Sequence, residues 1–202
     1  TGEVMVIVVT NGDIFPSRSE FVKRLKDKFP YITTIIQNIN NRKTSIILGE
    51  EERILFGKGY IEDYLLGIKF KISSKAFFQI NPEQTEKLYQ KVEEYASLTG
   101  TEVVVDAYSG VGTIGMVLAK KAKQVIGVES SKQAVSNASA NAYENKIRNI
   151  KFYCHDATEF LKQMVKDNVG IDLLVMDPPR SGSTTEFLNA ILSLKPQKVI
   201  YV

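Results

Sequence analysis

The carboxylate of Asp106 and the glycines at 110, 112 and 115 are the most chemically specific group in this chain. They lie in residues 103–115, Val-Val-Val-Asp-Ala-Tyr-Ser-Gly-Val-Gly-Thr-Ile-Gly. The glycines fit G-x-G-x-x-G, a turn that lets a nucleotide-like ligand approach backbone N–H groups where a helix begins. An acid directly before that turn repels a dinucleotide pyrophosphate and favours a ligand carrying an ammonium or sulfonium.

Three further acids stand where strands should end. Glu129 lies about 20 residues beyond the first glycines, where a carboxylate accepts hydrogen bonds from a ribose diol. Asp156 follows Cys154 and His155, and either receives an adenine amino group or caps the next helix. Asp177 opens Asp177-Pro178-Pro179-Arg180. Its two prolines remove two backbone donors and force an extended exit, holding Asp177 and Arg180 at the mouth of the sheet. A Rossmann dehydrogenase has one acid after its second strand; acids after four strands suit S-adenosyl-L-methionine, with Asp106 on the ammonium, Glu129 on the ribose and Asp156 on the adenine. A nicotinamide site and a ligand-free structural turn are the competing readings of the loop.

The elements that would position these groups alternate regularly. Strands at 103–105, 124–128, 150–153, 171–176 and 198–202 are separated by helices at 113–121, 132–145, 158–166 and one opened by a Ser183-x-x-Glu186 box and ending at residue 194. Such βα alternation predicts an α/β, Rossmann-like parallel sheet covered on both faces, with ligands beyond the carboxyl ends of the strands. Asn81 as N-cap and Pro82 at the first helical position open an additional helix before the sheet, with Leu88, Tyr89, Val92 and Tyr95 as its stripe. The first part of the chain, before this helix, reads as a separate small α+β unit. In it, a strand at Val4–Thr10 leads to a helix opened by a Ser17-x-x-Glu20 capping box, with Phe21, Val22, Leu25 and Phe29 on one face. Strands at 32–40, 45–48, 54–56 and 61–72 follow.

Composition narrows the class. The 202 residues carry a net charge of +3, too mild to establish nucleic-acid binding. Lys23, Arg24, Lys26, Lys28, Arg42 and Lys43 make the first part locally basic, read first as a solvated helix face. Cys154 is the single cysteine, which excludes an intrachain disulfide and fits a reducing, cytoplasmic compartment. No apolar run approaches the roughly 20 residues of a membrane span, and no cysteine–histidine spacing suggests a metal.

Phe77-Phe78-Gln79-Ile80-Asn81, Asp106-Ala107-Tyr108-Ser109-Gly110-Val111-Gly112-Thr113 and Asp177-Pro178-Pro179-Arg180, in this order, resemble the bacterial RNA (uracil-5-)-methyltransferases, most of all the ribosomal-RNA enzymes of Gram-positive bacteria. The resemblance covers the whole chain: residues 1–75 look like that family's central domain and 76–202 like its methyltransferase domain. It implies RNA, here 23S rRNA, as substrate and S-adenosyl-L-methionine as cofactor. Gln79, Tyr108, Gly110 and Thr113 join Asp106, Glu129 and Asp156 at the cofactor, Asp177 lines the site near the methyl group, and Phe77 stacks on a flipped-out uracil, with Arg180 on the substrate side. The competing structural readings are core packing for Phe77 and Phe78, plain packing for Tyr108 and a helix cap for Gln79.

The resemblance also carries a departure. Uracil C5 is a poor nucleophile, and the family activates it by adding a cysteine thiolate to C6. That cysteine is expected just after the strand ending at Val202, so no catalytic residue is assigned within these residues. The chain is expected to be part of a longer enzyme and, with its last strand lacking an outer neighbour, to be poorly stable alone or to associate through that edge. Cys154 is expected to be a small buried hydrophobe and His155 to be uncatalytic. Two other functions fit less of the pattern: methylation of an exocyclic nitrogen, and a non-catalytic RNA-binding module using the helix around Lys23–Lys28.

Overall fold

The computed structural model describes residues 1–44 and 46–202. The chain divides into two units, one comprising residues 1–64 and 70–75, the other 65–69 and 76–202.

In the first unit, β1 (Val4–Thr10), α1 (Arg18–Lys28) and β2 (Ile32–Ile39) form a βαβ crossover, and β3 (Glu51–Phe56) pairs antiparallel on the far side of β2. Central β2 is buried along nearly its whole length, polar side chains included. Asn38 satisfies itself by accepting the Gly49 N–H at 2.7 Å and donating to the Gly49 carbonyl at 3.1 Å. The Ser17 capping box does not form: Ser17 adopts a left-handed conformation and its side chain makes no cap bond. The stripe of α1 is only half-buried. Of the expected 45–48 strand, Ser45 lies outside the described residues. Ile46 and Ile47 are exposed and held through their carbonyls by Asn40 Nδ2, at 2.8 Å each. The expected 61–72 strand is two, β4 (Tyr60–Leu65) and β5 (Ile68–Ser73), reversed at Leu66-Gly67, both at positive φ. The basic helix is locally engaged: Arg24 pairs with Glu20 at 2.7 Å, and Lys26 donates to the Ile32 carbonyl at 2.7 Å while lying over the Phe56 ring.

The second unit begins with α2 (Pro82–Ala96), capped as its sequence predicts: the Asn81 side chain accepts the Gln84 N–H at 3.2 Å. Its buried stripe is Thr85, Tyr89, Val92 and Ala96; Leu88 and Tyr95 face solvent instead of packing. β6 (Val103–Ala107), α3 (Thr113–Ala119), β7 (Gln124–Glu129), α4 (Lys132–Glu144), β8 (Ile150–Cys154), α5 (Ala157–Lys166), β9 (Leu173–Met176), α6 (Thr185–Leu194) and β10 (Lys198–Tyr201) follow in strict alternation. The five strands form one parallel sheet ordered β10-β9-β6-β7-β8. The N-cap of α6 is Thr184, one residue past the expected Ser183, and accepts the Phe187 N–H at 3.1 Å.

The two-residue period of β6 sets its two faces. Val105 and Ala107 enter a core with Leu161, Met164, Phe187, Ala190 and Ile191 of α5 and α6. Asp106 points the other way and reaches α3. Because β6 has β7 on one side and β9 on the other, the strand order reverses there. A crevice therefore opens beyond its carboxyl end, where ligands of such sheets bind. No helix among the described residues is long and apolar enough to cross a membrane.

Candidate active site

A cavity of about 50 Å³ lies at this reversal, lined by Phe77, Phe78, Gln79, Tyr89, Asp106, Tyr108, Ser109, Gly110, Val111, Thr113, Ile114 and Asp177. Seven of the residues expected from the sequence therefore meet here: Phe77, Gln79, Asp106, Tyr108, Gly110, Thr113 and Asp177. Glu129, Asp156 and Arg180 are not among its lining.

Each position follows from local structure. Asp106 is 1 % exposed, and its Oδ2 accepts the Gly115 N–H at 2.8 Å. A Cβ at position 115 would lie 2.7 Å from that oxygen, so the third glycine of the motif is needed for close approach. Gly112 caps α3 at φ +81°, and a Cβ there would meet the Phe152 ring at 2.5 Å. Tyr108 is left-handed at φ 62°, a strained conformation for an aromatic residue. Its ring packs on Phe187 at 5.3 Å and its hydroxyl donates to Ser183 Oγ at 3.1 Å. Glu129 stands behind the loop: Oε2 accepts from Gly110 N at 3.0 Å and Oε1 from Ser131 N at 2.8 Å. Asp177 directly follows β9 and precedes the two prolines, and a turn closed by Gly182 N–H donating to the Pro179 carbonyl at 2.8 Å completes the exit.

The site is acidic. No lysine or arginine lines the cavity. Burial pushes the Asp106 carboxyl up to about 7, and the charges of Asp177 and Glu129 add to the rise against the opposing Gly115 hydrogen bond. Burial also raises Asp177. A bound cation would relieve this strain. Open space beside Gly110, where no atom lies within 4 Å of an added Cβ, and the buried Ser109 Oγ, which has no partner among the described residues, both suit a polar ligand passing close to the backbone.

The competing readings separate here. Phe77 is 73 % exposed at the cavity rim, not core. Gln79 caps nothing, because Asn81 caps α2. Asp156 caps α5, with Oδ1 accepting the Glu159 N–H at 3.0 Å. Arg180 is exposed. Cys154 is exposed rather than buried, because β8 is an edge strand, and its Sγ faces the Ser130 carbonyl at 3.5 Å. His155 makes only a local contact, Nδ1 to the Asp156 carbonyl at 3.0 Å. No group of acidic, histidine or cysteine side chains among the described residues could hold a metal.

Of the five other lining residues, two carry polar groups that sequence reasoning does not assign to the site. Tyr89 reads as plain helix stripe, yet its hydroxyl shares a 2.9 Å hydrogen bond with Thr113 Oγ1, and burial pushes its phenol up to about 12. Its stripe position on α2 was the only signal. Ser109 directly precedes the first glycine of the motif, and no spacing rule marks its hydroxyl as buried.

Five parallel strands with the switch at a carboxylate-ended first strand and a glycine loop are the Rossmann-like S-adenosylmethionine-dependent methyltransferase fold. Solved structures agree: Streptococcus mutans SMU.776, a putative methyltransferase complexed with S-adenosylhomocysteine, shares the fold at TM-score 0.58 and 13% identity over 91% of this chain and 51% of its own. The Pyrococcus abyssi tRNA (uracil-54, C5)-methyltransferase, solved with S-adenosyl-L-homocysteine, matches at TM-score 0.76 and 28% identity over 98% of this chain and 46% of its own. The chain belongs to the tRNA (uracil-5-)-methyltransferase family, whose model matches residues 20–202. Uncharacterised RNA methyltransferases of Caldanaerobacter subterraneus subsp. tengcongensis and Staphylococcus aureus strain MRSA252 are 45% and 44% identical over all of it. The chain spans 45% of the length of each of these relatives.

Proposed function

We propose that this chain forms the S-adenosyl-L-methionine-binding part of an enzyme that methylates C5 of a uridine in RNA, with 23S rRNA as the substrate that the motif resemblance favours. The observation that carries the reading is the convergence of Gln79, Asp106, Tyr108 and Asp177 on one cation-free cavity at the switch point of the sheet. The family membership supports the reaction class.

When bound, the cofactor supplies a methyl group on a positive sulfonium. The protein's part is positioning and electrostatics. Asp106, with Asp177 and Glu129 nearby, makes a field that favours the ligand's positive charge. Glu129 fixes the loop at Gly110 and keeps carboxylate lone pairs available to a ribose hydroxyl. Pro178 and Pro179 hold Asp177 at the mouth, and the exposed Phe77 ring offers a stacking face to an extruded base. Cys154 does not line the cavity and is not assigned the nucleophile.

Titration calorimetry of the chain with S-adenosyl-L-methionine tests the first half, with Asp177→Asn and Gln79→Ala expected to weaken binding at least tenfold. A folded wild-type chain that gives no binding heat counts against it. Nucleoside mass analysis of ribosomal RNA from cells with and without the gene tests the second half. Loss of 5-methyluridine is expected, and loss of an N-methylated nucleoside alone would overturn C5 as the target.

A further inference from the structure

Apart from the cofactor site, an open groove of about 840 Å³ runs along the outer edge of the sheet, between the end of α4 and strand β8. Its floor is apolar, formed by Ala142, Ile147, Ile150 and Phe152. Its rim interleaves cations and aromatics: Tyr143, Lys146, Arg148, Lys151 and Tyr153, with Glu144 the one carboxylate in the lining. Tyr143 is 87 % exposed; Tyr153 is 41 % exposed, one side of its ring packed against Phe160 at 5.2 Å. Lys146, Arg148 and Lys151 are exposed too, and none makes a side-chain hydrogen bond or ion pair among the described residues.

Solvated tyrosine rings beside unpaired cations are the chemistry of a single-stranded nucleic-acid track. Phosphates meet the charges, and bases stack on ring faces with little regard to sequence. On β8 the two-residue period puts Lys151 and Tyr153 on one side of the strand, about 7 Å apart. Phe152 points the other way, toward the glycine loop, where a Cβ at Gly112 or Gly127 would lie within 2.5 Å of its ring. The floor of the groove and the wall of the cofactor loop thus share one ring.

We infer that this groove is a second RNA contact, a track for a single-stranded segment of the substrate lying apart from the base undergoing modification. The inference rests on the RNA-modifying function proposed above. The charge balance favours RNA over a protein strand added to the free edge of β8, which needs backbone pairing but not three unpaired cations.

Fluorescence anisotropy of the 202-residue chain with a labelled single-stranded 12-mer RNA tests this. Replacing Lys146, Arg148 and Lys151 together by alanine should weaken binding at least tenfold in low salt. It should also flatten the salt dependence by about two log units per log unit of salt, at about 0.7 per lost phosphate contact. Tyr143→Ala should weaken binding several-fold with the salt slope unchanged, which a general loss of charge would not do. S-adenosyl-L-methionine affinity, measured on the same preparations, should stay within twofold and shows that the variants fold. RNA affinity within twofold of wild type for both variants overturns the groove, as it would if a protein strand were the occupant. So does a wild-type chain that binds no RNA at low salt. Failure of the C5-methylation reading is seen separately, in the nucleoside analysis.

Discussion

Asp106 and Gly115 are fitted to each other across the start of α3: the carboxylate accepts the glycine N–H at 2.8 Å, in space that a Cβ on residue 115 would enter at 2.7 Å from the same oxygen. One contact therefore sets the position of the helix, the orientation of the buried acid and the identity of the third glycine. It ties the most perturbed carboxylate of the chain to the backbone of the loop it precedes.

Gly115→Ala tests this fit. Alanine in a helix normally gains up to about 1 kcal/mol over glycine. Here the added methyl can be accommodated only if Asp106 Oδ2 moves off its hydrogen bond or Ile150 Cδ1, at 3.1 Å, gives way. Overpacking of this kind costs about 1–3 kcal/mol and wins. Thermal unfolding should show a lower Tm, and calorimetry a loss of cofactor affinity of tenfold or more. An unchanged or raised Tm would contradict the fit.

The Asp106 carboxyl, held near 7 by burial against an ordinary 3.8, gives a pH dependence of fixed sign. Between those values the folded chain keeps a proton that the unfolded chain has released. This group's contribution is therefore most favourable below about 4, falls as pH rises, and levels off above about 7. The whole effect is at most on the order of 4 kcal/mol. Asp106→Asn should remove this component of a denaturation series between pH 5 and pH 8. Binding runs oppositely: a cationic ligand favours the ionised acid, so cofactor affinity should rise as pH approaches about 7, by up to about tenfold per unit, and level off above it. In Asp106→Asn, affinity should be weaker and flat.

Much of this site was legible because local chemistry fixed it. The glycine spacing, the acids at strand ends and the Asn81-Pro82 helix start each depend on neighbours in sequence, and the structure keeps them. The errors lie where tertiary surroundings decide. Ser17 and Ser183 sit in good capping boxes, but Ser17 takes a left-handed backbone, and Ser183 Oγ accepts the Tyr108 hydroxyl while Thr184 caps. Leu88 and Tyr95 match a helical period but lie on the wet side, because the face of α2 is chosen by what it meets. Cys154 reads as buried in sequence but is exposed, since no local pattern says that β8 is the edge of the sheet. The Tyr89–Thr113 bond joins two helices and leaves no sequence mark.

That bond is testable on its own. Tyr89, 2 % exposed and with its phenol pushed up to about 12 by burial, should be the last tyrosine to ionise in an ultraviolet titration, and Tyr89→Phe should delete that step. Losing the hydroxyl should cost about 1 kcal/mol. In a double-mutant cycle, Thr113→Val on the Tyr89→Phe background should cost less than on the wild type. Full additivity would mean that the two hydroxyls do not couple.

Glu129 divides its two oxygens between Gly110 N and Ser131 N, so it fixes the glycine loop and the start of α4 together. Hydrogen bonds to a charged group are worth about 1.5–3 kcal/mol, and each 1.4 kcal/mol is tenfold in affinity. Glu129→Ala should weaken the cofactor more than tenfold and also lower Tm, since both backbone donors lose their partner. Glu129→Gln keeps an acceptor for one donor and turns an amide N–H toward the other, so it should fall between wild type and alanine on both measures. If the carboxylate served the ligand alone, affinity would drop while Tm stayed at the wild-type value. Thermal scans with and without saturating S-adenosyl-L-methionine separate the two cases.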